Sequence, residues 1–366
     1  MKVLQLGPYP PPHGGVQTNL VAIRRYLHAR GHECEVINLT RHRREDSDGV
    51  YYPRTPIEVL KLLARLRYDI AHYHLGGNVT TRLLGLCLAC SLMPGRRAVL
   101  TFHSGGYPLS AAGRRARPLS LRGFVFRRFD KIIAVNQTIV EMFRRFGVAS
   151  NKIHLIEPHA LAAAPAAVAL PDDLHSFYAA HDPVLLTVGL LEPEYGLALQ
   201  VEAMARVREK FPRAGLVIIG SGSIEAELRA LIASKPYAAD LLLCGDVAHE
   251  RTLRAISDCD LFLRTTHYDG DSISVREALH AGVPVIATDN GMRPAGVRLI
   301  PKADEAALVA AVEESLTKER HGGGDGEAEQ DEARVPEVDE KEADRNVAAV
   351  FELYRELVEG EKGGAL

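Results

Sequence analysis

Residues 260–291 read DLFLRTTHYDGDSISVREALHAGVPVIATDNG and contain one full cycle of a repeating pattern. Asp260 to Leu263 is a short apolar run of the kind that forms a buried strand. A polar loop follows, a helix begins near Ser274, and Pro284 to Ala287 is a second strand. Strand, helix, strand at this spacing is a β–α–β unit, and such units build parallel sheets.

The alternation continues upstream. Strands at Val184 to Val188, Leu216 to Ile219 and Leu241 to Cys244 alternate with helices starting near Gly196, Ile224 and Glu250. In the amino half, strands fall at Val3 to Leu6, Glu35 to Leu39, Asp69 to His72, Ala98 to Phe102, Lys131 to Val135 and Ile153 to Ile156. The clearest helix there is Val16 to Arg30, where Val16, Leu20, Ile23 and Leu27 form one apolar stripe and Gly31 supplies the stop. A chain of 366 residues is long for one core. The predicted class is α/β, with two Rossmann-like doubly wound parallel-sheet domains at residues 1–160 and 183–318. Ala160 to Asp182, rich in Ala, Pro and Asp, reads as the passage between them. Residues 321–345 read as an acidic flexible insert, and residues 347–360 as a closing amphipathic helix on Val350, Leu353, Tyr354 and Leu357 that needs an apolar partner.

Composition excludes several classes. Apolar residues at 46% and charged residues at 25% are ordinary for a globular protein and unlike a disordered or fibrous one. Five cysteines scattered through apolar segments argue against a disulfide framework. Cys87 and Cys90 form a CxxC, but the leucines around them and the lack of a second pair favour buried thiols over metal or redox chemistry. The opening MKVLQLGPYP ends in prolines rather than a leader's apolar region, and no apolar run reaches the ~20 residues that span a bilayer. A cytoplasmic protein is expected.

In open parallel sheets, ligands bind beyond the carboxyl ends of the strands, so the loops there are the place to look for chemistry. The first strand leads into Gly7-Pro-Tyr-Pro-Pro-Pro-His-Gly-Gly15, where Gly14 and Gly15 directly precede a helix and leave its amides open to an anion. A structural turn accounts for the same glycines, and the pattern is not the GxGxxG of a nicotinamide enzyme. His13, His72, His74 and His103 lie on or just past strands at the same edge, with His103 the strongest candidate. Downstream of Arg264, Asp269 precedes the helix and Glu277 sits about a turn inside it. Two carboxylates so placed suit the vicinal hydroxyls of a sugar, while a capping acid and an exposed helical acid would look the same.

The Asp269 to Glu277 spacing, Ala278-Leu279 and Gly282-Val-Pro-Val-Ile-Ala-Thr-Asp289 resemble the E-x7-E region of the retaining GT-B glycosyltransferases of family four. The Gly14-Gly15 loop, His103, Glu192-Pro-Glu-Tyr-Gly196, Gly220-Ser-Gly222 and Gly245-Asp-Val247 extend the likeness over nearly all of the chain outside the acidic tract. The resemblance implies two domains facing across a cleft and a nucleotide-sugar co-substrate, with no metal or other cofactor. In that reading Glu277 holds the ribose and Gly245, Asp246 and Val247 border the base. Asp269 with Gly270, Asp271, Ser272 and Ile273 holds the sugar, His103 lies beside it, and Gly14-Gly15 face the diphosphate or the acceptor.

Two positions depart from the family. The arginine usual just after Val188-Gly189 is Leu190, and the lysine five residues on is Tyr195, so the usual diphosphate clamp is missing. Arg264, Arg276 and Arg293 flank the donor loops, and one or two of them are expected to take its place. The first acid is also Asp269 where the family has Glu, and Ser272 stands for a glycine.

Charge separates the halves. Residues 1–160 carry 24 Lys and Arg against 10 Asp and Glu, net +14, and the remainder is net −17. Arg114, Arg115, Arg117, Arg122, Arg127, Arg128 and Lys131 interleave with leucines and phenylalanines in a stretch that suits a helix at an anionic membrane, as well as an ordinary helix with a basic face. The expected partners are a nucleotide sugar, a glycan or lipid-linked acceptor and the inner face of the cell membrane. No nucleic-acid motif accompanies the charge. Hexosyl transfer is the leading reading; a non-catalytic sugar- or nucleotide-binding relative and a nucleotide-sugar epimerase are the alternatives.

Overall fold

The computed structural model describes residues 1–11, 13–40, 45–46, 48–158, 168–268, 271–322 and 344–359. These form two compact units, the first from residues 1–158, 271 and 344–359, the second from residues 168–268 and 272–322.

Seven parallel strands form the first unit's sheet: β1 (Lys2–Gly7), β2 (Glu33–Asn38), β3 (Val50–Tyr51), β4 (Ile70–Leu75), β5 (Arg97–Phe102), β6 (Lys131–Ala134) and β7 (Ile153–Leu155). Their spatial order is β3-β2-β1-β4-β5-β6-β7, so the chain reverses its direction of travel across the sheet between β1 and β4. Side chains alternate between faces. Leu4, Leu6, Ala71, Tyr73, Leu75, Leu100 and Phe102 pack into the larger core. Val3, Ile70 and Val99 face the other way, under the helices Gly15–Ala29 and Arg345–Glu359. The closing helix finds its apolar partner here: Val347, Val350, Leu353 and Tyr354 are buried against Ala22, Ile23, Tyr26 and Leu27.

The second unit has six parallel strands: β8 (Val184–Val188), β9 (Gly215–Ile219), β10 (Leu241–Gly245), β11 (Leu261–Arg264), β12 (Val285–Thr288) and β13 (Arg298–Ile300). Their order is β10-β9-β8-β11-β12-β13, with the reversal between β8 and β11. Apolar cores cover both faces of this sheet.

Several expectations need correction. Ala160 to Asp182 is not wholly a passage, because Asp172–Ala180 is a helix whose Leu174 and Phe177 are buried in the second unit. The basic stretch is not one helix: Ala111–Arg114 and Leu121–Phe126 are separate short helices, and Pro118 between them lacks the amide a continuous helix needs. The third strand runs past His72 to Leu75, which puts both His72 and His74 inside it. The acidic insert at 321–345 lies outside the described residues except at its two ends, as do Asp269 and Gly270.

Candidate functional site

In the second unit, the carboxyl ends of β8 and β11 meet at the reversal, where a crevice for ligands is expected. Arg264 closes β11 and is 5% exposed. Its Nη1 donates to the Val188 carbonyl at 2.7 Å, and its guanidinium lies 4.6 Å from the centroid of the Tyr195 ring. Gly189 makes this stack possible, since a Cβ there would fall 2.5 Å from the Tyr195 ring and 2.7 Å from Arg264 Nη1. Gly196, at φ 63°, turns the chain from Tyr195 into the helix Leu197–Lys210. Thr265 locks that turn: its hydroxyl accepts from Gln200 at 2.8 Å and faces the Tyr195 and Gly196 carbonyls at 2.9 and 3.1 Å.

The helix Ile273–His280 begins beside the same strand end. Ser274 Oγ donates to the Val188 carbonyl at 3.3 Å and lies 3.3 Å from Ser272 Oγ, so Val188 receives both Ser274 and Arg264. One turn in, Glu277 is 4% exposed and its Oε1 lies 2.7 Å from Nε2 of His249. A buried carboxylate needs such a partner. His249 opens the helix His249–Asp258 just after Gly245, Asp246 and Val247, where Gly245 takes φ 74°. The two segments expected to hold ribose and base are therefore joined through His249, a residue that no motif of the sequence singles out. Its signal was position alone, a polar ring opening the helix after a strand-end glycine.

Arg293 is a brace between strand ends: Nε donates to the Thr288 carbonyl at 3.0 Å and Nη2 to the Thr266 carbonyl at 3.2 Å. Arg276 is half-buried on its helix, and Asp271 is half-buried just before it. Leu190, at the family's arginine position, is 41% exposed. Among the described residues no group of three or more His, Cys, Asp or Glu is placed to hold a metal ion. Burial pushes the Cys90 thiol up to about 12 and Cys87 well above its ordinary value, so both stay protonated inside the fold.

In the first unit, Gly14 caps the helix Gly15–Ala29 without a side-chain bond, in an extended conformation open to any residue, and His13 beside it is half-buried. At the reversal between β1 and β4, His74 Nε2 faces Gln5 Oε1 at 2.8 Å and His74 Nδ1 faces His103 Nε2 at 3.3 Å. His72 is bracketed by Thr101 Oγ1 at 2.7 Å and Tyr354 Oη at 2.5 Å. Burial holds His72 and His103 down at about 3 and His74 well below its ordinary value, so all three rings are neutral near pH 7. His72 and His74 thus serve as interior polar links, while His103 stands half-buried at the strand end.

Residues 13–159 match the family model Glycosyltransferase Family 4, and residues 176–321 match Glycosyl transferases group 1. The chain is 29% identical over 145 residues to the amylovoran biosynthesis glycosyltransferase AmsK of Erwinia amylovora, an alignment covering 36% of each chain, so it spans about a third of AmsK's length. It is 24% identical over 329 residues to the phosphatidyl-myo-inositol mannosyltransferase of Mycolicibacterium smegmatis, covering 82% of this chain and 80% of that one. Its fold matches Anabaena Alr3699/HepE, solved in complex with UDP-glucose, at a TM-score of 0.70 and 15% identity over 98% of this chain and 100% of that one. The two parallel-sheet units are those of the GT-B fold.

Proposed function

We infer that this chain is a GT-B glycosyltransferase of the group 1 and family 4 kind, moving a sugar from a nucleotide donor to a glycan or lipid-linked acceptor with retention of configuration. The observation that carries the reading is the convergence at the second unit's strand reversal of Gly189, Arg264, Ser272, Ser274 and the buried Glu277–His249 pair. HepE, of the same fold, holds UDP-glucose, which supports a uridine donor as the first to try.

Glu277, kept ready by His249, is assigned to the ribose, and Gly245, Asp246 and Val247 to the base. Asp269 and Gly270 through Ile273 are assigned to the sugar, Gly14 and Gly15 to an anionic group, and His103 to the transferred sugar. Of the three arginines, Arg264 replaces the missing clamp. It brings a guanidinium against Tyr195, which stands at the family's lysine position, and against Gly189, next to the family's arginine position. Arg293 binds two main-chain carbonyls, which suits bracing. The chemistry is positioning and charge stabilisation, with no protein nucleophile required.

Product analysis tests this. Purified protein with a nucleotide sugar and acceptor lipid or glycan is expected to give a product that keeps the donor's anomeric configuration and disappears in Glu277→Ala and His103→Ala. Donor consumed without any acceptor, to an epimerised nucleotide sugar, would overturn the transferase reading, and so would tight donor binding with no turnover.

We also propose an anionic membrane as the surface on which the acceptor is met. Leu119 is 99% exposed, Leu121 62% and Phe124 47%, among Arg114, Arg115, Arg117 and Arg128. Among the described residues no helix is long and apolar enough to cross a membrane, so attachment there would be at the surface.

A further inference from the structure

Gln5, His72, His74 and Thr101 are polar and all but fully buried, and they point to the sheet face otherwise filled by Val3, Ile70 and Val99. Polar groups on such a face are tolerated when each finds a partner, so the bonds fix where the protons are. The Leu20 carbonyl can only accept. It lies 3.1 Å from Nε2 of Gln5, which sets the amide nitrogen there and turns Oε1 toward His74. An amide oxygen also only accepts, so His74 carries its proton on Nε2. A neutral imidazole has one such proton, which leaves His74 Nδ1 as a lone pair facing His103 Nε2. His103 must then donate from Nε2, and its Nδ1, which has no bond among the described residues, is a bare acceptor.

We propose that Gln5 and His74 are positioning residues: a two-step relay that fixes His103 as the Nε2–H tautomer and presents Nδ1 to a hydroxyl of the transferred sugar. The relay spans the reversal between β1 and β4, the place in the first sheet where a ligand crevice is expected. Burial keeps the rings neutral, with His103 at about 3, so the tautomer persists through ordinary pH. Gly7 leaves room for it, since a Cβ there would stand 3.0 Å from His74 Cβ and 3.1 Å from Leu20. The role toward sugar rests on the transferase reading; the tautomer does not.

Two-bond proton–nitrogen correlation spectra of the full chain, labelled at histidine and free of ligand, test the relay. His103 is identified as the signal lost in His103→Asn. The expected spectrum shows His103 protonated at Nε2 and bare at Nδ1. In Gln5→Met, which has similar length and no acceptor, His74 loses its reason to hold the proton at Nε2, and His103 is expected to shift wholly or partly to Nδ1–H. A His103 protonated at Nδ1 in the unmodified protein overturns the proposal even if the variant fails to fold, and so does an unchanged tautomer in a folded Gln5→Met.

In transfer assays Gln5→Met is expected to lower kcat/KM about tenfold, the size of one hydrogen bond, while UDP alone binds as before. An equal loss for UDP would mean general damage and would count against positioning. Should the transferase reading itself fail, the spectra still decide the relay; should the relay fail, transfer by the unmodified chain is untouched.

Discussion

Glu277, the residue proposed to hold the donor's ribose, is also a buried charged group of the second unit, so recognition and stability can be tested apart at this position. Its carboxylate is 4% exposed and meets His249 at 2.7 Å. Removing His249 leaves that carboxylate buried without its partner, so His249→Ala is expected to destabilise the second unit by about 1–3 kcal/mol in denaturant titrations. Glu277→Gln keeps a polar group in place and is expected to cost less stability but more than tenfold in donor affinity. The glycines sort differently. Gly220 takes φ 145° and a Cβ there would lie 1.7 Å from the Gly189 carbonyl, so Gly220→Ala is expected to cost more than about 3 kcal/mol or prevent folding. Gly14 is extended at φ −176°, and the nearest atoms to an added Cβ belong to the flexible Gln17 side chain, so Gly14→Ala is expected to stay within about 1 kcal/mol of the unmodified protein. An equal loss at both glycines would contradict this.

At the scale of elements, the first sheet and its closing helix are tied by Tyr354, whose hydroxyl reaches His72 in the interior. Tyr354→Phe leaves that ring nitrogen unpaired and is expected to cost about 1–3 kcal/mol, read as a lower thermal midpoint. The histidine pKa values give a pH dependence with a definite sign. In the folded chain burial holds His72 and His103 down at about 3 and His74 well below its ordinary value, while unfolded histidine titrates near ~6.5. Between those values the unfolded chain binds more protons, so stability rises with pH and is lost on acidification from about pH 6.5. Each histidine contributes up to roughly 1.4 kcal/mol per pH unit. A midpoint independent of pH between 7 and 5 would contradict the buried neutral network.

Most of the strands were legible, because parallel sheets covered on both faces read as short apolar runs. β3 and β13 were not, since Val50–Tyr51 and Arg298–Ile300 are edge strands too short for a period to show. The helix Asp172–Ala180 buries only Leu174 and Phe177, too little to stand out in a polar, alanine-rich segment. His72 and His74 hid the end of β4 because polar residues interrupt the apolar run, although their spacing of two, shared by Thr101 and His103, was the trace of one sheet face.

For the whole molecule, both halves match glycosyltransferase family models, in line with the family resemblance read from the sequence. What the residues could not give was which strand ends become neighbours, since sheet order brings Arg264 of β11 to Val188 of β8 across 76 positions of sequence. The same gap hid His249, whose partner is 28 residues away. Vesicles containing anionic phospholipid are expected to sediment the protein, with binding lost in high salt and in Leu119→Asp/Phe124→Asp, and neutral vesicles are expected not to. Donor recognition through Glu277 is tested most directly by calorimetric titration of the full chain and of Glu277→Gln with a panel of nucleotide sugars, UDP-glucose first. At least one donor is expected to bind the unmodified chain and to bind the variant more than tenfold more weakly; a panel with no binder, or equal affinity for the two chains, would rule out donor recognition through Glu277.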